Sequence, residues 1–124
     1  MSRVLFAAAL IVAAPAFAET RYFSEMPDLP LPPGFTESGS ATGFDGADGR
    51  LIMADATGAN TAAQVRAFYS ESLPALGWSL SPTSAEDLVF LRGRERLSLT
   101  TTGEAAHLHL HVRLTIRPAS MSAD

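Results

Sequence analysis

The chain has 124 residues, 47% of them hydrophobic, and a formal net charge of −4. It is too short for two ordinary domains and too apolar for a disordered one. It contains no Cys, which excludes a disulfide framework, a thiolate nucleophile, a Cys-ligated zinc site and an iron–sulfur cluster. All nine basic residues are Arg, set against 13 acidic ones, and that balance argues against nucleic acid, whose phosphates call for surplus cations.

Met1–Ala18 reads as a secretory signal peptide. Arg3 supplies the positive start, Val4 to Ala14 is unbroken apolar, and Ala16-Phe17-Ala18 places small residues before a cut at Glu19. The rival reading is a membrane anchor, but that needs about 20 apolar residues and this run has 11. Cleavage would leave a more acidic domain in the periplasm or outside the cell, with no stable membrane insertion.

Glu19 to Pro33 reads as an arm. Pro27, Pro30, Pro32 and Pro33 exclude helix and central strand, so Met26–Pro33 is expected to be extended and close to polyproline II. Leu29 and Leu31 could anchor it on its own domain; the alternative is a ligand for an aromatic groove. Residues 34–118 then form a single α+β domain, and 119–124 a disordered tail.

Thr36 to Thr57 predicts a hairpin turning at Asp45-Gly-Ala-Asp-Gly49, with an edge strand around Ser38–Phe44 and a half-buried strand at Leu51–Ala54. Thr61 followed by Gln64 is a capping box, and Val65, Phe68, Tyr69, Leu73 and Leu76 make one apolar stripe of a helix. Pro74 should kink or tighten its last turn, and Gly77 should end it before Trp78 and Leu80 begin a strand.

A meander follows. A type II′ turn at Gly93-Arg94 pairs Phe90 with Leu97 and Leu88 with Leu99. A second two-residue turn at Gly103-Glu104 would set Leu99 against Leu108 and Leu97 against Leu110. The predicted architecture is a two-layer α+β sandwich: an antiparallel sheet of five to six strands with one helix across its apolar face.

Val65-Arg-Ala-Phe-Tyr69 and Leu73-Pro-Ala-Leu-Gly-Trp78, after the lead Leu29-Pro-Leu-Pro-Pro-Gly34, resemble a group of small exported bacterial domains of uncharacterised function. These share a Pro-rich lead, a strand pair, a V-x-x-F-Y…L-x-x-x-G-W segment and a β-meander. The resemblance spans roughly Pro27 to Pro118 and implies a fold and an exported location. It implies no catalytic residue, because the motif describes a core.

His107-Leu-His-Leu-His111 is the principal chemical candidate. On a strand the three imidazoles would share one face, and neutral imidazole ligates zinc and copper well. Same-face neighbours lie about 6.6 Å apart, so two can converge on one ion while the third hardly can. The tight second turn would flank His107, His109 and His111 with Thr100, Ser98 and Arg96, none a strong ligand. A polar face taking Cu or Zn weakly is the plainer reading, with no dedicated cofactor.

Asp45 and Asp48 lack the alternating ligands of a calcium loop and read as turn residues. Arg92, Arg94 and Arg96 beside Glu95 read as a solvated hairpin tip. No Ser sits in a Gly-x-Ser-x-Gly elbow, and one helix leaves little room for a deep pocket, so no enzyme is expected. Val89 and Leu91 would share their face with His109 and His111. Either the arm covers that half-apolar face through Leu29 and Leu31, or it contacts another protein of the cell envelope.

Overall fold

The structure is a computed structural model that describes residues 20–82 and 87–118. The signal-peptide and tail assignments lie outside the described residues. Among the described residues the fold is an α+β sandwich in which six antiparallel strands carry one α-helix on one face. In chain order the strands are β1 (Thr36–Gly46), β2 (Gly49–Gly58), β3 (Ser79–Leu80), β4 (Leu88–Arg92), β5 (Glu95–Thr102) and β6 (Leu108–Ile116). The helix α1 (Ala62–Ser72) runs between β2 and β3, and the sheet order is β1-β2-β6-β5-β4-β3.

The capping box forms as the sequence predicts: the Gln64 amide donates to Thr61 Oγ1 at 3.1 Å, and the Thr61 amide donates to Gln64 Oε1 at 2.9 Å. Val65, Tyr69 and Leu73 are buried, whereas Leu76 is 40% exposed and leaves the stripe. The reason is Pro74. It ends the α-helix and starts a single 3₁₀ turn, Pro74–Leu76, which rotates Leu76 outward before Gly77 closes the turn at φ 92°.

The arm belongs to the core, but not as an extended polyproline segment. Leu29 N donates to Met26 O at 2.9 Å across Pro27-Asp28, a β-turn with Pro at its second position. The chain therefore doubles back, and Tyr22 bridges Pro30. A second turn places Pro33 before Gly34, whose φ of 81° satisfies a type II geometry, and Phe35 N donates to Pro32 O. Phe23, Met26, Leu29, Leu31 and Phe35 are all buried in the cluster that holds Val65, Tyr69 and Leu73. Proline here directs turns, and the leucines between the prolines fill the layer beside α1. Tyr69 fastens the two together: its hydroxyl donates to Pro30 O at 2.8 Å, and burial pushes its phenol well above the ordinary tyrosine value.

The first meander turn is as predicted. Leu88 pairs with Leu99 and Phe90 with Leu97. Gly93 has φ 57° and no residue other than glycine has a positive φ among those described, which is the type II′ signature. The second turn differs. Leu99 pairs with Val112 and Leu97 with Leu114, so Gly103–His107 all lie in the connection. A two-residue turn would have carried Leu114 and Ile116 past the start of β5. The longer connection keeps Ile116 opposite Glu95 and places Leu108, Leu110, Val112 and Leu114 in the core. The displacement is an even number of residues, so every side chain keeps its expected face.

Candidate functional site

The helix and the arm cover the same face of the sheet. Leu29 and Leu31 sit in one cluster with Ile52, Phe90, Leu97 and Leu110, so they do not reach the side that carries His109 and His111. Alternation along each strand assigns the opposite, open face. Its residues fall into cross-strand rows. One row runs Leu91–Arg96–Thr115–Leu51–Phe44 from β4 to β1. The next runs Val89–Ser98–Arg113–Met53–Thr42. Beyond them, Thr100, His111, Asp55 and Ser38 form a third row, and Thr102, His109, Thr57 and Thr36 a fourth.

The open face thus divides into two halves. At one end of the strands it is apolar and cationic: Phe44, Met53 and Leu91 are 57%, 38% and 43% exposed around Arg96 and Arg113. At the other end it is polar and holds the histidines. The four-residue displacement of β6 separates the halves; the expected tight turn would have put Arg96 beside His111 and Ser98 beside His109. Val89 is buried, so of the expected contact residues only Leu91, His109 and His111 are accessible.

The histidines are not one set. His107 precedes β6 and lies in the connection, where its amide donates to Glu104 O at 2.9 Å. His109 and His111 stack nearly parallel, with ring centroids 6.3 Å apart. Asp55, from β2, meets His111 Nδ1 at 2.5 Å, and Thr102 Oγ1 from β5 lies 3.1 Å from its Nε2. His111 therefore ties three strands together. Asp55 escaped sequence reasoning because its contact depends on β2 lying beside β6; its only local signal is a carboxylate alternating with the core residues Ala54 and Ala56.

The Asp55–His111–Thr102 chain has the connectivity of a carboxylate–imidazole–hydroxyl relay. Its setting differs from that of a working nucleophile. The Asp55 and His111 side chains are 53% and 47% exposed, and bulk water reaches the whole relay. Nucleophilic catalysis gains most where water is excluded and donors await a developing oxyanion. The cleft of about 480 Å³ is bordered by Arg21, Leu31, Pro33, Phe35, Thr36 and Phe68, against the arm and α1, and none of the relay residues lines it. As a metal site the pair is also constrained. Both ring nitrogens of His111 already face protein partners, and parallel rings must rotate before both imidazoles can meet one ion. Among the described residues no group of three His, Asp or Glu side chains is arranged to hold a metal.

The arginines of the β4–β5 hairpin serve different ends. Arg92 is a brace, not a solvated tip: it meets Asp28 of the arm at 2.7 Å, Glu95 at 3.1 Å and Leu76 O at 3.0 Å, and lies 4.2 Å above the Trp78 ring. Burial opposes its charge, but hydrogen bonding to Asp28 and the nearby carboxylates outweigh that and raise its pKa. Arg94 donates to Arg117 O. Arg96 points from the open face, diagonal to Arg113. Asp45 pairs with Arg50 at 3.4 Å beside the Gly46–Gly49 turn, as turn residues would.

Among the described residues no helix is long and apolar enough to cross a membrane. A scan against protein-family models, a search of curated proteins and a search of solved structures each found no match.

Proposed function

We propose that this chain is an exported, non-enzymatic domain of the cell envelope that acts by protein contact through the open face of its sheet. The signal-like Met1–Ala18 and the resemblance to small exported domains support the location. One observation carries the contact reading: the helix and arm are both spent on one face, leaving Phe44, Met53 and Leu91 bare on the other. Three large apolar side chains left exposed on one sheet face cost hydration that a partner would relieve.

The test is site-specific photo-crosslinking in the producing cell. A benzoylphenylalanine replacing Met53 or Leu91 should give a discrete adduct with another protein, while one replacing Leu76, exposed on the opposite side, should not. Equal labelling from all three positions, or none from Met53 and Leu91, would refute the assignment.

A further inference from the structure

The apolar–cationic half of the open face specifies its partner's chemistry. We infer that it receives an extended acidic segment of a partner protein, with apolar residues at the segment's ends and carboxylates between them. The inference rests on the contact reading above and goes further by naming what is contacted.

Phe44 and Leu51 lie toward the β1 edge, Leu91 lies on β4, and Arg113 and Arg96 stand between on the adjacent strands β6 and β5. Neither Arg96 nor Arg113 has a hydrogen bond or ion pair among the described residues, whereas Arg50 and Arg92 both pair with carboxylates. The one carboxylate on the strand positions of this face, Asp55, is engaged by His111. The hairpin acids Asp45 and Asp48 border the same concavity as Arg113, Phe44 and Leu51, but Asp45 is paired with Arg50, so the two arginines make the middle of the face locally cationic on a chain whose net charge is −4.

Distance sets the segment's length. From β1 to β4 there are four interstrand steps. At about 4.8 Å each they span about 19 Å, which an extended chain covers in about six residues. Such a segment would lie across the strands with an apolar side chain against Phe44 and Leu51, another against Leu91, and acidic side chains over the arginines. The planar guanidinium favours a carboxylate held by two parallel hydrogen bonds. The apolar ends distinguish this ligand from a plain polyanion. An anionic membrane is a poorer fit, because it would meet the whole acidic chain and its repulsion, whereas a short segment meets chiefly Arg96 and Arg113, within a Debye length of its carboxylates.

Phage-displayed random twelve-residue peptides selected on the exported protein provide the test. Enriched sequences should place two or more Asp or Glu between apolar residues spaced about six apart. Synthetic versions should bind about tenfold more weakly to Arg96→Gln/Arg113→Gln, as two lost partly exposed ion pairs imply, and lose affinity with added salt. Arg96→Glu/Arg113→Glu should favour basic sequences, and His109→Ala, in the polar half, should leave binding unchanged. No enrichment, enrichment of neutral or basic peptides, or indifference to the arginine substitutions would overturn the inference. So would binding to phosphatidylglycerol vesicles that exceeds binding to the peptides. If Met53 and Leu91 crosslink a protein while the selected peptides are not acidic, the contact surface stands and its acidic partner falls; loss of both results removes both readings.

Discussion

Replacing Tyr69 by Phe removes one oxygen and tests whether the arm is clasped by the helix. The Tyr69 hydroxyl is buried and donates to Pro30 O at 2.8 Å, across 39 residues of sequence. Phe retains the ring in the core but leaves the Pro30 carbonyl without that donor, in a segment where Leu29, Pro30 and Leu31 are buried. An unsatisfied buried acceptor costs about 1–3 kcal/mol. Taking about 2 kcal/mol, the melting temperature of a domain this size should fall by roughly 8–16 °C. The same variant carries a pH signature. Burial raises the Tyr69 pKa in the folded state, so its contribution is complete below about pH 10, where the unfolded phenol is also neutral. Above that the unfolded state alone sheds a proton, and stability should fall by about 1.4 kcal/mol per pH unit from this residue. Tyr69→Phe should thus be less stable at pH 7 and show a shallower alkaline decline. Urea titrations from pH 7 to 11 read both effects. A variant as stable as the parent at pH 7, or one with the same alkaline slope, would show that the hydroxyl is not buried against the arm.

Gly58→Ala should destabilise by about 1–3 kcal/mol in a urea melt, because a Cβ there would collide with the Phe35 ring; an unchanged midpoint would mean that Phe35 is not seated over β2. The β5–β6 register is tested with paired cysteines: Ser98→Cys/Arg113→Cys should form a disulfide on mild oxidation and Ser98→Cys/His109→Cys should not, with the reverse outcome restoring the two-residue turn. The mature N-terminus, read by mass spectrometry of the exported protein, should be Glu19; a full-length product retained in the cytoplasm would remove the export reading. Calorimetry with Cu²⁺ or Zn²⁺ should give micromolar affinity at best, as two neutral ligands imply. Nanomolar, stoichiometric binding lost in His109→Ala would instead establish a dedicated metal site.

Local chemistry made much of this fold legible. The capping box, the Gly77 stop and the Gly93 turn each depend on a few adjacent residues, and each forms where the sequence places it. Alternation made the faces legible too, which is why Leu97, Leu99, Leu108 and Leu110 lie in the core despite a displaced register. The displacement itself was hidden because Gly103 suits a short turn and a long one equally. What decides between them is the far end of β6, where Leu114 and Ile116 need a strand beside them. The arm packs on its own domain through Leu29 and Leu31 as expected, but its turns were hidden for a related reason. Four prolines forbid helix, but whether they extend a chain or turn it depends on what the leucines between them can bury.

Asp55 and Arg113 were illegible as site residues for a more general reason. A core position announces itself through its own periodicity, whereas a surface constellation exists only once strands from distant parts of the chain are neighbours. β2 and β6 are separated in sequence by the helix and the strands β3, β4 and β5, yet they pair along nine positions. That pairing brings Asp55 to His111 and Met53 to Arg113 in one step. Moving β6 by four residues would dissolve both relationships while leaving the core faces intact. The core therefore constrains the face of each strand, and the turn lengths decide which chemistry assembles on the side left open.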